Sequence, residues 1–402
     1  MSLPVILVDV VGKDVSQKEA FERLEELENL VNTFGGLVVV KKVQRRGIPD
    51  YGTFVGKGKI QEIMDDGKAL GAKLVVVNNI LKPGQVYRLS EQLRKVKMEA
   101  WDRIDLILKI FSKHAKSAEA KLQIELAAIR HTGPRIFGLG LDLSRQGGGI
   151  GTSGIGETNI ERMKRHLKEH EHRVMMKLKH MEKVRTQHRE HRARLNLPTA
   201  AIVGYTNAGK SSLLRAITKK DAYVANKLFA TLDTRIGQLH IQNETPQGIN
   251  VMLSDTIGFI RDLPPSLIKS FKSTLEEAIH ADIILHVIDY SDPKMEDKIM
   301  IVEDILKDLG LGDRPQIFVF NKYDLPSPFA KFEIERQYAT FSPVFVSAER
   351  KVGLQQLKET IKERLLNKTA QSSRSPRRGS EGSRGKPRPV AYSSSSNLSH
   401  SS

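Results

Sequence analysis

Two rhythms of apolar and polar positions alternate through the first part of the chain. LPVILVDVV (residues 3–11) is a continuous apolar run of buried-strand length. VSQKEAFERLEELENLVNTF (15–34) repeats its apolar positions at helical spacing, and GGLVVVKKV (35–43) returns to a strand run. GKGKIQEIMDDGKAL (56–70) predicts a second helix and KLVVVNN (73–79) a third strand. This alternation predicts a small α/β domain with a largely parallel sheet. From about Ala100 to Arg130 the pattern turns helical, in WDRIDLILKIF and AEAKLQIELAAIR, and ends the domain at 1–130.

Residues 131–156 are rich in glycine, and HTGPRIFGLGLDLSRQGGGIGTSGIGET (131–158) predicts a loop, flexible unless bound. Residues 157–196 are charged and helical. Ile160, Leu167, Val174 and Met181 recur every seven residues, which predicts a helical hairpin or a coiled-coil-like arm. LPTAAIVG opens a second α/β unit over 197–367. The tail, 368–402, is rich in Ser, Pro and Arg, cannot bury a core, and is expected to be disordered.

Composition narrows the partners. Of 402 residues 39% are hydrophobic, and the formal net charge is +17, which favours polyanions. The arm carries twelve basic residues against six acidic ones over 157–194, and the tail adds six against one over 371–402. Beside a glycine-rich loop, such an arm suits RNA backbone better than a merely solvated face. With no cysteine, disulfides and thiolate metal sites are excluded, and a reducing compartment is expected. The apolar start lacks a basic flank, and no run approaches a membrane span, so a cytoplasmic monomer without stable membrane insertion is expected. His166 and His170 share an i, i+4 spacing, but no HExxH pattern accompanies them.

The chemistry lies in the second unit. The strand AAIVG runs into Gly204, Tyr205, Thr206, Asn207, Ala208, Gly209, Lys210, Ser211 and Ser212, and the helix-forming LLRAIT follows. This is G-x-x-x-x-G-K-[ST] in its required context. Backbone N–H groups converge on phosphate oxygens, Lys210 reaches the β- and γ-phosphates, and Ser211 ligates Mg²⁺. NKYD follows the strand QIFVF. A carboxylate at Asp324 accepts from guanine N1–H and its exocyclic amine, a donor pair that adenine lacks. Asn321 and Lys322 brace that loop, and VFVSA brings Ser347 and Ala348 toward guanine O6. DTIGFI places Asp255, Thr256, Ile257 and Gly258 at the magnesium ion and γ-phosphate. Between these motifs, Phe229, Ala230 and Thr231 form the segment that closes over the triphosphate, with Thr231 completing the Mg²⁺ shell and Thr234 as the alternative. Catalysis is expected to rest on Lys210, Thr231 and Gly258. Where Ras-type GTPases have a water-orienting glutamine, this chain has Phe259.

Taken in order, GTFVGKGKIQEI, GGGIGTSGIGETNIE, GYTNAGKS, FATLD, DTIGFI and NKYD resemble the HflX family over about residues 1–365. The resemblance implies an N-terminal α/β domain, a helical linker and a Ras-like P-loop GTPase domain with a mostly parallel sheet. It implies GTP and GDP as ligands, Mg²⁺ as cofactor, and binding to the large ribosomal subunit and its rRNA, with ribosome splitting and hydrolysis stimulated by the ribosome. By resemblance, a hydrophobic residue at Phe259 is a family trait, and Asn207 matches an asparagine of potassium-activated relatives, making K⁺ a candidate near the developing phosphate charge. Asn207 also suits a plain turn position. The chain departs from the family's pattern at Ser153 and Ile155, where Arg and Pro are usual, and at Thr234, where Pro is usual. The alternative is a nucleotide-gated RNA-binding or remodelling module with an ATPase in the N-terminal domain, an activity ascribed to some family members.

Overall fold

The computed structural model describes residues 2–146, 153–195, 197–218, 235–242, 248–256, 258–261, 267 and 272–374. Residues 1–365 form one compact unit and 366–402 a second, of which 366–374 are described and helical.

The N-terminal sheet contains β1 (Leu3–Val11), β2 (Gly36–Arg45), β3 (Leu74–Val77) and β4 (Glu99–Asp102), all parallel, in the order β2-β1-β3-β4. β1 is central and buried on both faces, which is why it reads as an unbroken apolar run. Helices α1 (Gln17–Phe34), α2 (Lys57–Leu70), α3 (Pro83–Arg94) and α4 (Arg103–His114) cover the sheet. Leu24, Leu27, Ile107 and Phe111 of α1 and α4 share one core with Val5 and Leu7, while Ile60, Ile63, Val86 and Leu89 of α2 and α3 share another with Ile6 and Val8. α1 starts at Ser16, whose hydroxyl accepts the Glu19 N–H, and stops at Gly35 with φ 103°.

Two expectations need correction. Ala100 to Asp102 belong to β4, not to a helix. Four residues are too few to show a period, and only pairing with the distant β3 creates the strand. Much of the glycine-rich segment is also helical: α5 (Ala118–Gln146) runs through 131–146, and α6 (Ser153–Arg194) begins inside the expected loop. Glycine costs a helix only about 1 kcal/mol per residue, and α5 gains a long antiparallel partner in α6. Glu171 meets Arg130 at 2.7 Å, His170 meets Glu125 at 2.6 Å, and Val174 is buried. Residues 157–194 thus form one continuous helix rather than a hairpin of their own, and the antiparallel partner is α5. GGGIGT (147–152) lies outside the described residues.

The second sheet has the order β10-β9-β8-β5-β7-β6. Its strands are β5 (Thr199–Gly204), β6 (Arg235–Ile241), β7 (Ile249–Asp255), β8 (Ile283–Asp289), β9 (Gln316–Asn321) and β10 (Val344–Phe345). Only β6 runs antiparallel to its neighbour. α7 (Lys210–Thr218), α8 (Lys272–Ile279), α9 (Met295–Asp308), α10 (Lys331–Gln337) and α11 (Leu354–Arg374) are the helices described around it. The first sheet's α1/α4 core continues without a break into this domain, reaching Phe259, Ile260, Leu275 and Leu306. Among the described residues no helix is long and apolar enough to cross a membrane.

Candidate functional site

β5 ends at Gly204 with φ 149°, where a Cβ would lie 2.2 Å from the Val287 carbonyl oxygen, so only glycine fits. The chain then turns through Asn207 at φ 64° and Gly209 at φ 93° into the N-terminus of α7. Asn tolerates the left-handed region, so the turn alone gives one reason for Asn207. Lys210 opens α7 and is 7% exposed, with Nζ donating to the carbonyls of Gly204 (3.1 Å) and Tyr205 (2.8 Å). Burial lowers its pKa to about 8, against the pull of the Asp255 charge. The Ser211 hydroxyl donates to Asp255 Oδ2 at 2.7 Å, and that carboxylate is fully buried. Ser212 follows on the same turn, half-buried.

Asn321, at the end of β9, ties three loops together. Its Nδ2 donates to the Ala208 carbonyl at 2.9 Å, and its Oδ1 accepts the Ala348 N–H at 3.0 Å. β10 pairs with β9 and so brings the Ser347–Ala348 backbone beside Asn321. Buried Ser347 accepts the Arg350 N–H on its hydroxyl at 3.0 Å. Lys322 has φ 62°, and its ammonium lies 2.6 Å from Asp289. The Asp324 carboxylate is partly exposed and 3.9 Å from Arg350. Asp289, at the end of β8, was not singled out in the sequence, although its place at a strand end is the signal that finds it.

Asp255 ends β7 beside β5, so the sheet brings the DxxG motif to the phosphate-binding loop. Thr256 is buried, with its hydroxyl donating to the Ile202 carbonyl at 2.8 Å. Gly258 packs over Lys210, where a Cβ would stand 2.9 Å from Nζ and 2.7 Å from Thr206 Cγ2. Phe259 pairs with the loop itself: its N–H donates to Gly204 at 3.1 Å, and its carbonyl accepts the Thr206 N–H at 2.8 Å. Its ring is 1% exposed and belongs to the core shared with α1 and α4. Phe259 is a packing residue. Phe229, Ala230, Thr231, Thr234 and Ile257 lie outside the described residues.

Hard oxygen donors from a hydroxyl and a carboxylate suit Mg²⁺, and Ser211 with Asp255 supplies that pair. Asp102, Asp105 and His131 also come within reach of one another. There the two carboxylates form the capping box of α4, with the Asp105 N–H on Asp102 at 2.9 Å and the Asp102 N–H on Asp105 at 3.1 Å.

The arm's charges divide by position. Arg185 pairs with Glu119 and Glu276, Arg189 with Glu276 at 3.2 Å, and Arg192 with Glu277 at 2.9 Å, so the end of α6 docks on α8. Farther out, Arg162, Arg165, Lys168, Arg173, Lys177, Lys179 and Lys183 are exposed. The basic footprint is therefore smaller than composition suggests and sits on the outer part of the arm.

Three segments of the chain match family models. Residues 21–112 match a GTP-binding GTPase N-terminal family, 114–192 a GTP-binding GTPase middle region, and 199–322 a 50S ribosome-binding GTPase family. The chain is similar to the GTPase HflX of Caldanaerobacter subterraneus subsp. tengcongensis, at 43% identity over 88% of this chain and 80% of that protein. It is similar to the GTPase HflX of Alkalihalophilus pseudofirmus at 40% identity, covering 89% of this chain and 82% of that one. Against the GTPase HflX of Escherichia coli it is 37% identical over 89% and 82%.

Proposed function

This chain belongs to the HflX family of GTPases and hydrolyses GTP, and from that premise we propose that its cycle runs on the large ribosomal subunit, which stimulates hydrolysis, and serves to split or recycle ribosomes. The observation carrying this reading is the match of 199–322 to a 50S ribosome-binding GTPase family. The exposed outer half of α6, suited to rRNA backbone, supports it. The protein acts as a cytoplasmic monomer.

In this reading the backbone from Tyr205 to Ser211 wraps the phosphates, aided by the N-terminus of α7. Lys210 sets its charge between the β- and γ-phosphates. Ser211, Asp255 and Thr231 would hold Mg²⁺, which would supply charge neutralisation at the phosphates. Gly258 offers its N–H to the γ-phosphate, and its lack of a side chain permits the close approach to Lys210. Asp324 selects guanine, with Asn321 and Lys322 fixing its loop. The buried Phe259 ring leaves water positioning to backbone groups, to a K⁺ held by Asn207, or to the ribosome.

The test is phosphate release from GTP and ATP, with and without purified large subunits, in K⁺ and in Na⁺. Strong stimulation of GTP turnover by the subunit is expected, with K⁺ dependence assigning Asn207. A low GTP rate unchanged by subunits, with ATP turnover stimulated by RNA, would sink this reading in favour of an RNA-remodelling module.

A further inference from the structure

Arg103, the first residue of α4, is 3% exposed and donates to three acceptors. Nη1 reaches Asn78 Oδ1 at 2.7 Å, and Nη2 reaches Glu26 Oε1 at 3.2 Å and the Arg261 carbonyl at 2.9 Å. Glu26, on α1, also accepts the Tyr205 hydroxyl on Oε1 at 2.9 Å, and that hydroxyl accepts the Arg261 N–H at 2.8 Å. Both backbone polar groups of Arg261 are thus held by side chains, one from the phosphate-binding loop and one from the N-terminal domain. Burial, then the Glu26 charge, pushes the Tyr205 hydroxyl well above its ordinary range, so it remains a donor. The Lys298 ammonium sits 5.0 Å from the centroid of the same ring. Arg261 lies three residues beyond Gly258 and two beyond Phe259, whose backbone is already paired with the loop.

We propose that Glu26 and Arg103 are positioning residues for GTP hydrolysis: through the Tyr205 hydroxyl and the Arg261 backbone, they hold Gly258 to Arg261 against the phosphate-binding loop in the geometry that hydrolysis uses. The proposal rests on the reading that Gly258 and Lys210 flank the γ-phosphate. Nucleotide affinity depends mainly on other groups, the backbone around Gly209 and the base loop at Asn321 and Asp324, so the clamp acts on kcat.

The experiment measures kcat and KM for GTP on the full chain, with the melting temperature of each variant. Tyr205→Phe removes one oxygen from a ring that stays packed. Glu26→Ala removes the acceptor, and Glu26→Gln keeps an oxygen for the hydroxyl. Tyr205→Phe and Glu26→Ala are each expected to lower kcat about tenfold, the effect of one buried hydrogen bond, with KM changed less than about twofold. The double variant falls less than the product of the two single losses, because both singles remove the Tyr205–Glu26 hydrogen bond, and Glu26→Gln retains most of the rate. An unchanged or increased kcat, a loss confined to KM, or additive losses would overturn the proposal, whatever the melting temperatures do. Lys210→Ala in the same assay tests the underlying site separately, since turnover that survives it removes the site assignment itself.

Discussion

The first strand of each sheet sits where the strand order reverses, β1 between β2 and β3, and β5 between β7 and β8. Ligands of open parallel sheets bind outside the carboxyl ends of the strands at such a point. After β5 the chain turns through glycine into the N-terminus of α7. At the corresponding ends of the first sheet stand Asp9, Asn78 and Asp102, and these bind protein. Asp9 Oδ2 accepts from Arg23 at 3.1 Å and from Asn78 at 3.0 Å, and Asn78 in turn accepts from Arg103. Burial, only partly countered by these donors, raises the Asp9 pKa. Arg103 then reaches Arg261 of the GTPase domain. One topology therefore yields a phosphate cradle in one domain and a docking joint in the other. Sheet order makes the crevice, and the side chains at the strand ends decide what fills it.

Substitutions that empty each crevice sharpen the contrast. Arg103→Ala removes the buried cation that Glu26, Asn78 and the Arg261 carbonyl share, and about 3–5 kcal/mol of unfolding free energy should be lost. Urea unfolding checks this, and a change below about 1 kcal/mol would mean that the joint is not held by that charge. Lys210→Ala in the other crevice should lower GTP turnover by about 100-fold or more through lost charge stabilisation, with stability little reduced. Phosphate release read beside a melting curve separates the two effects.

Smaller effects probe the cradle's selectivity and charge. Asp324→Asn should weaken GTP binding by roughly 10- to 100-fold, the loss expected for hydrogen bonds to a charged acceptor, and titration with a fluorescent guanine nucleotide measures it. Lys210 titrates near 8 in the nucleotide-free protein, and a polyphosphate beside it raises that value. Its contribution to GTP affinity is therefore complete below pH 8 and shrinks as pH rises above it, about tenfold per unit, until the bound value is reached. Affinity measured between pH 7 and 10 tests this slope, and a flat profile contradicts it. The smallest change belongs to Arg189→Ala at the arm's docking end, where Arg185 also contacts Glu276. It should cost about 1 kcal/mol or less.

The nucleotide motifs were legible because their chemistry is local. The residues from Gly204 to Ser212 are consecutive, and one strand and one helix suffice to shape them. β1 was legible too, since burial on both faces leaves a continuous apolar run. β4 was not, because its strand character comes from β3, some twenty residues away. The helical course of 131–146 was hidden by glycines whose cost α6 offsets. Arm charges could be counted, but their division between docking and exposure depends on Glu119, Glu276 and Glu277, far away in the chain.

Phe259 shows where the boundary lies. By itself the sequence determined that a hydrophobic residue stands where a water-orienting glutamine would act, and with the neighbouring motifs that determined a guanine-nucleotide site of this family. Only the tertiary structure decided what the residue does: its ring completes a core begun by α1 and α4, and its backbone pairs with the phosphate-binding loop. Motifs specify chemistry through neighbours in sequence, whereas burial and buried charge pairing are set by groups that only folding brings together.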